Sequence, residues 1–450
     1  MKKRISLILM FVLTVCLCFV GCGVTPLTMP KNKIAQSNGG SVVKIGKTLD
    51  DENTNIVYYD YLYFANAYKA STITESELSS DLSIYNAVRI KAANNGDIKE
   101  ENSETVGVVE TVAEKVSGYS KSLMFVVGDY LYFNSPNLHK NSKTNQYEFD
   151  LVCLFKVKLD GTGLKEVYKS ESASVSFYLT GGDNQQLLIY DNNTIKTLNF
   201  ENDKPEPFVE NATSCVFPSN FGIDLKSVYF TKARKDDLSG NILCKKDLTA
   251  DSKIDEIEKE TYKTLTINSY ENQILIYSVA ETNSTTTVKA IKNGNKQNLF
   301  TYETDTGANY SNLKYAKGYN GIDEYVVFNA NSKLYVMNFA DGTQNKAATI
   351  SDKEAVIRMI VDGKVIYTTS EGIFVYDLYA QTSKQISDKT DMADVFDYDG
   401  QYIYFYTKLS AEGASDTKYL HRAALEITND YEIECISKLT DSDKKLLDEE

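Results

Sequence analysis

The chain has 450 residues, 42% apolar and 24% charged, which suffices for a folded protein and excludes disorder over most of its length. At this size one ordinary core stops growing, so several domains or one repeat architecture is expected. The 62 acidic against 48 basic residues give a net charge of −14, which argues against nucleic acid as a partner, and two histidines (His139, His421) with five arginines leave little for His-based catalysis, zinc or carboxylate clamping.

Residues 1–21 read as a signal peptide. Lys2-Lys3-Arg4 is a positive start, and Ile5–Val20 is an apolar run of 16 residues, short of the ~20 a spanning helix needs. The run ends in Phe19-Val20-Gly21-Cys22. That segment resembles the lipobox of bacterial lipoproteins, in which a small residue precedes a Cys that is acylated before cleavage. The resemblance implies that Cys22 is the first mature residue, lipid-anchored on the extracytoplasmic face of a bacterial cell membrane. Removal of the signal takes three basic residues and no acid, leaving 45 basic against 62 acidic residues, a balance of −17. Two or three acyl chains anchor stably where one does not. Residues 22–40, with Thr25-Pro26, Met29-Pro30 and Ser37-Asn38-Gly39-Gly40, show no periodicity and read as a flexible tether of roughly 25 Å.

From 41 to 440 the chain reads as all-β. A unit recurs: an apolar strand, a tight turn, a Tyr/Phe-rich strand, a variable loop, then two strands around an Asp-Gly or Asn-Gly turn. Phe155, Val157 and Leu159 alternate with Lys156 and Lys158, the period-two signature of a strand, and Asp160-Gly161 is a hairpin signal. The second strand is expected eight times, at Tyr61–Phe64, Tyr130–Phe133, Leu187–Tyr190, Ser227–Phe230, Gln273–Tyr277, Tyr325–Phe328, Lys364–Tyr367 and Tyr402–Tyr406. Its central residues are Leu62, Leu131, Leu188, Val228, Leu275, Val326, Val365 and Ile403, spaced by 69, 57, 40, 47, 51, 39 and 38. A four-stranded unit of ~40–50 residues is the sequence form of a β-propeller blade. The expectation is one eight-bladed propeller, with seven blades or a pair of sandwiches as alternatives. Val42–Ile45 is read as a strand that helps close the ring. The excursion through Glu100-Glu101-Asn102 makes blade one irregular, and 441–450 reads as a charged tail.

Leu154 to Leu164 resembles a repeat in bacterial propellers of unknown function that are likened to the YWTD-type propellers of lipoprotein receptors. Tyr132-Phe133-Asn134-Ser135, Tyr63-Phe64-Ala65-Asn66 and Tyr229-Phe230-Thr231-Lys232 are similar to the YWTD strand, without its Trp and Asp together. The resemblance implies a fold and a binding role and carries over no catalytic residue.

First and third turns are short, as at Gly128-Asp129, Asp362-Gly363, Asp399-Gly400, Asn293-Gly294 and Asp341-Gly342. Second connections are long: Asn66–Ile84, Asn134–Phe149, Lys232–Asn241 and Leu409–Thr417. In a meander these leave one rim, so ligand-binding candidates are Asn134, His139, Tyr147, Lys232, Asp236 and Glu412. No cofactor motif is present. Cys153, Cys215, Cys244 and Cys435 lack metal or redox spacing and read as buried free thiols. Asp388, Asp391, Asp394, Asp397 and Asp399 lack EF-hand order and read as a solvated loop. No G-x-S-x-G elbow occurs. The functional expectation is a membrane-tethered binding or scaffolding module for a protein, peptide or cell-wall saccharide. The alternatives are a glycan lyase or hydrolase using acidic and Tyr residues of the central channel, and an envelope-assembly component.

Overall fold

The computed structural model describes residues 42–48, 57–66, 84–91, 109–117 and 123–435. The last span has gaps at 160, 173, 183–184, 220–221, 235–239, 250, 261, 281, 283, 305–308, 340–346, 388–393, 399–401, 409–417 and 426–432. Residues 1–21 and 22–40, read above as signal and tether, together with Glu100-Glu101-Asn102 and 441–450, lie outside the described residues.

Eight four-stranded antiparallel sheets follow one another, each a meander of consecutive strands, and no helix is present among the described residues. These blades begin and end at Val42–Ser117, Met124–Lys169, Ser176–Glu210, Ser214–Glu258, Thr264–Glu303, Tyr310–Ser351, Val356–Ser387 and Asp394–Cys435. First strands of neighbouring blades lie side by side from blade 4 to blade 8, so they line the centre. The second strand of blade 1 adjoins the third strand of blade 8, which closes the ring. The chain is thus a single eight-bladed β-propeller; the seven-blade and sandwich alternatives are excluded. Val42–Thr48 is the first strand of blade 1 and pairs with Val57–Asn66. It therefore does not complete the last sheet, and the seam between blades 8 and 1 shares no strand.

The expected second strands are the second strands of the eight sheets. Their central residues Leu131, Leu188, Val228, Leu275, Val326, Val365 and Ile403 are all at most 1% exposed. Both faces of these strands are apolar because a neighbouring blade covers each. Apolar clusters accordingly run across blade boundaries, as where Leu123, Phe125, Tyr132 and Leu154 of blade 2 meet Leu179, Leu187, Ile189 and Leu198 of blade 3. Burying a side chain of this size contributes ~1.5–3 kcal/mol.

Three positions after the central residue a hydrogen-bonding side chain recurs: Asn134, Asp191, Thr231, Ser278, Asn329 and Thr368. Each ties the second strand to its surroundings. Asn134 Oδ1 accepts Leu123 N at 2.8 Å, and Asp191 Oδ2 accepts Glu171 N at 2.6 Å. Thr231 Oγ1 lies 2.7 Å from Thr213 Oγ1. In blades 5, 6 and 7 the partner is a residue at a register shift in the first strand. Asn268 Nδ2 donates to Ser278 Oγ at 2.7 Å, Asn312 Nδ2 to Asn329 Oδ1 at 3.0 Å, and Arg358 Nε to Thr368 Oγ1 at 2.9 Å.

Tyrosine hydroxyls inside the blade junctions meet carboxylates from a neighbouring blade. Tyr132 donates to Asp203 Oδ1 at 3.0 Å, Tyr168 to Asp191 Oδ2 at 2.5 Å and Tyr277 to Glu258 Oε2 at 3.1 Å. Lysines complete the sites: Lys156 lies 2.6 Å from Asp203, and Lys296 3.2 Å from Glu258.

Residues 134–149 are an extended hairpin rather than the expected loop. Strands Tyr130–Lys140 and Tyr147–Lys158 pair as far as Lys140 opposite Tyr147, with a shift at Pro136, where a ladder donor is missing. The turn is held by Asn141, whose Nδ2 donates to both Glu148 carboxylate oxygens at 2.8 and 2.9 Å and whose Oδ1 accepts Lys143 N at 2.8 Å.

Burial pushes the Asp203 carboxyl up, but hydrogen bonds from Lys156, Tyr132 and Lys165 outweigh it and hold it below the usual carboxylate range. A lowered folded pKa stabilises above the unfolded value and is lost as pH falls through the folded one. Asp203→Asn should therefore be less stable than the parent by about 2 kcal/mol near neutrality. The difference in urea midpoint should shrink as pH drops below about 4.

Candidate functional site

In a four-stranded meander the first and third connections leave one rim, and the second and interblade connections the other. On the first rim, residues 217–226, between strands Ser214–Val216 and Ser227–Ala233 of blade 4, reach across three neighbouring blades. Towards blade 3, Gly181 N donates to Ile223 O at 2.7 Å and Gly222 N to Leu179 O at 2.9 Å. Gly181 has no room for a Cβ, which would stand 1.9 Å from the Gly222 carbonyl oxygen. Phe217 stacks on Tyr178 with centroids 5.5 Å apart. Towards blade 5, Gln273 Nε2 donates to Asp224 O at 3.0 Å while its Oε1 accepts the Tyr270 hydroxyl at 2.7 Å. These bonds hold Gln273 at φ 64°, in a two-residue turn whose other member, Asn272, is left-handed too.

The loop places Ser219 between two charged side chains far away in sequence. Ser219 N donates to Glu271 Oε1 at 2.9 Å, and Lys314 Nζ donates to Ser219 Oγ at 2.9 Å. Glu271 ends the first strand of blade 5, Thr264–Glu271, and Lys314 lies in the first strand of blade 6, Tyr310–Lys317. Burial pushes the Glu271 carboxyl above its ordinary value; Lys314 and the bonds from Ser219 pull the other way without cancelling it. The arrangement is a buried proton acceptor joined through a serine to an ammonium, at the inner end of the ring.

The same rim carries most of the exposed large apolar side chains among the described residues. Tyr319 and Ile322 lie in the first connection of blade 6, and Leu164, Ile254 and Tyr379 at third connections of blades 2, 4 and 7. Val356, at the start of blade 7, is at the opposite end.

The described residues among those singled out from sequence fall elsewhere. Asn134 is buried within a strand, bonded to Leu123, so it is a packing residue rather than a loop residue. His139 and Tyr147 belong to the extended hairpin, opposite Glu148 and Lys140. Lys232 lies in the second strand of blade 4 with its Nζ 5.8 Å from the Phe230 ring centroid. Asp236, Glu412 and Cys22 lie outside the described residues. The acidic run is not one loop, since Asp394 and Asp397 belong to strand Asp394–Tyr398. No group of three or more His, Cys, Asp or Glu that could hold a metal occurs among the described residues. Cys153 and Cys244 are buried free thiols, and Cys215 is free and half-buried. Burial pushes the Cys215 thiol up strongly and that of Cys244 up to about 11, so neither is a thiolate at neutral pH.

Ser219, Glu271 and Lys314 escaped the sequence reading because no motif joins them. The Gly181-Gly182 pair was the available signal of a close approach. Tyr319 and Ile322 did leave a trace, since Gly318-Tyr319-Asn320-Gly321-Ile322-Asp323 sets two large apolar residues in a glycine-rich turn.

No protein-family model matches the chain, and no curated protein matches it. Among solved structures it is similar to puromycin hydrolase (9% identity, TM-score 0.42, 69% of this chain and 52% of that one). The chain thus spans about half the length of that protein. It is also similar to the β-propeller domain of the Trilobed protease from Pyrococcus furiosus (13%, 0.42, 71% and 97%). A third is oligogalacturonate lyase from Vibrio parahaemolyticus (9%, 0.40, 86% and 99%).

A carboxyl whose folded pKa is raised contributes stability below its unfolded pKa that is lost as pH rises through the folded value. Glu271→Gln retains an acceptor for Ser219 N and no longer ionises. Its thermal midpoint should match the parent near pH 4 and exceed it increasingly as pH rises towards 8, as read by scanning calorimetry. A parent that gains on the variant over that range would contradict the assignment.

Proposed function

We propose that this chain is a lipid-anchored, extracytoplasmic binding module that holds a protein, peptide or cell-wall saccharide on one rim of its propeller. The observation that carries this reading is the gathering of Leu164, Ile254, Tyr319, Ile322 and Tyr379 on the short-turn rim, exposed, while the blade interiors bury their apolar residues. Apolar exposure concentrated on one rim of a rigid scaffold suits a docking surface. The tether through Cys22 rests on the lipobox-like Phe19-Val20-Gly21-Cys22. The opposite rim, with the long second connections, is the competing docking face.

An enzyme of the lyase or hydrolase kind has one observation in its favour. Glu271, a carboxyl kept basic by burial, stands near Tyr178 and Tyr270 at the inner end of the ring. Such an enzyme would lose turnover of its glycan in Glu271→Gln, whereas a binding module would not change its ligand affinity.

Cys22→Ala should move the protein from the membrane fraction to the soluble fraction or leave it as an uncleaved precursor; a variant that is cleaved and fractionates as the parent does defeats the anchor. Co-purification from detergent-solubilised membranes should recover a bound component. Replacing 141–146 by a two-residue turn tests the long-loop rim, since loss of that component would move the site there.

A further inference from the structure

Three turns of blades 6 and 7 form one continuous surface on the short-turn rim. Tyr319 and Ile322 sit in 318–323, and Tyr379 in 378–381, between strands Gly372–Asp377 and Thr382–Ser387. The link is Gly363. A Cβ there would stand 2.5 Å from Tyr319 N, so only glycine lets the two turns touch, and Gly363 O accepts Leu378 N at 3.0 Å. Tyr319, Gly363, Leu378 and Tyr379 are therefore contiguous.

Both apolar turns are rigid before anything binds. Asn320 Oδ1 accepts Ile322 N and Asp323 N, each at 3.0 Å, and Gly318 N donates to Asp323 O at 2.8 Å. Asp377 Oδ1 accepts Tyr379 N and Ala380 N, each at 2.9 Å. With the backbone donors engaged internally, the side chains face water: Tyr319 is 81% exposed, Ile322 79% and Tyr379 74%. Little order remains to be lost on binding.

The charge around them is mostly negative. Asp323 and Asp362 are exposed and Asp377 is half-buried, while Lys317 is exposed and Lys364 is buried with its Nζ 5.9 Å from the Tyr319 ring centroid. The chain as a whole carries −14, which opposes a second copy, an anionic membrane or a polyanion. Tyrosine faces attract ammonium and guanidinium groups, and nearby carboxylates add to this.

Resting on the reading of the chain as a binding module, we infer that Tyr319, Ile322 and Tyr379, edged by Asp323, Asp362 and Asp377, dock a cationic polypeptide segment. Its Lys or Arg side chains lie over the two tyrosine rings, and its aliphatic side chains lie on Ile322. Tyrosines central to an interface carry much of its energy, so losing both is felt far beyond losing rim contacts.

The test uses the mature chain in detergent and a fluorescent twelve-residue peptide of alternating Lys and Leu, with its Glu-for-Lys twin as control. The Lys peptide should bind the parent and weaken with added salt, and the Glu twin should not bind. Tyr319→Ala/Tyr379→Ala should weaken binding about ten-fold or more, whereas Val356→Ala, exposed at the opposite end of blade 7, should leave it unchanged. Equal affinity in the double variant overturns the proposal, as does equal binding of the Glu twin. So does a tyrosine-dependent preference for neutral oligosaccharides or a tyrosine-dependent self-association. If the double variant still co-purifies with the parent's membrane component, the binding reading survives and this placement fails. If neither the peptide nor any component binds the parent, both fail.

Discussion

The structure depends on sheets that have no wet face. Leu188, Leu275, Val326 and Val365 are fully buried at the centres of second strands, and their flanking residues are apolar or aromatic except for Lys364, which is itself buried. Such a meander cannot stand alone, because it would leave one or both faces in water. A linear stack of eight would still expose two terminal faces, whereas a ring exposes none. Closure is therefore driven by burial rather than by a shared strand, which agrees with a seam where each terminal sheet is complete in itself. The tyrosines suit this arrangement. Tyr132, Tyr168 and Tyr277 bury their rings in the junctions and deliver a hydroxyl to a carboxylate of the neighbouring blade, so the junctions between blades 2 and 3 and between blades 4 and 5 gain directional bonds. Burial raises all three phenol pKa values, and none ionises near neutrality.

The ring needs a second device, which sets how each blade is entered. A chain arriving from the previous blade must turn into the first strand beside the end of the second, and its backbone polar groups need partners there. In blades 2 and 3 the polar residue three places after the centre of the second strand provides them, and in blades 4 to 7 it bonds a side chain of the first strand or of the residue just before it. It is Asn134, Asp191, Thr231, Ser278, Asn329 or Thr368, and its partner differs from blade to blade. What recurs is a hydrogen-bonding capacity at a fixed register. That explains why Tyr132-Phe133-Asn134-Ser135 and Tyr229-Phe230-Thr231-Lys232 hold the same place in their strands with different residues.

The blade repeat was legible because two-sided burial writes itself into composition: aliphatic centres with a Tyr or Phe within two residues at each of eight sites. Two-residue turns were legible only where glycine marks them. Asp362-Gly363 and Asn293-Gly294 announce left-handed backbone, but Asn192-Asn193, Asn272-Gln273 and Asn331-Ser332 adopt the same positive φ values without it. Asparagine tolerates that region, and Gln273 is held there by Tyr270 and Asp224. Asn134 was read as a loop residue because Asn and Ser punctuate loops, and its burial is a property of the ring rather than of its neighbours in sequence. The Ser219, Glu271 and Lys314 cluster was illegible for the same reason. Its members lie on blades 4, 5 and 6 and meet only because first strands converge at the centre.

The two rims follow from one topological fact and differ in what they can do. Second connections join strands away from the centre and tolerate extension, as the ribbon 130–158 does by simply prolonging its ladder. First connections lie at the inner end of each sheet, where adjacent blades crowd together. Length there is permitted only if the loop finds partners on other blades. The 217–226 loop does so through glycine-to-backbone contacts on blade 3 and side-chain bonds to blades 5 and 6. Crowding also makes this rim stiff, since Tyr319 rests against a turn of the next blade that has no side chain to spare. Apolar groups placed on so stiff a rim keep their positions without a ligand. That is why their exposure, and not the length of the opposite loops, is the informative feature of the surface.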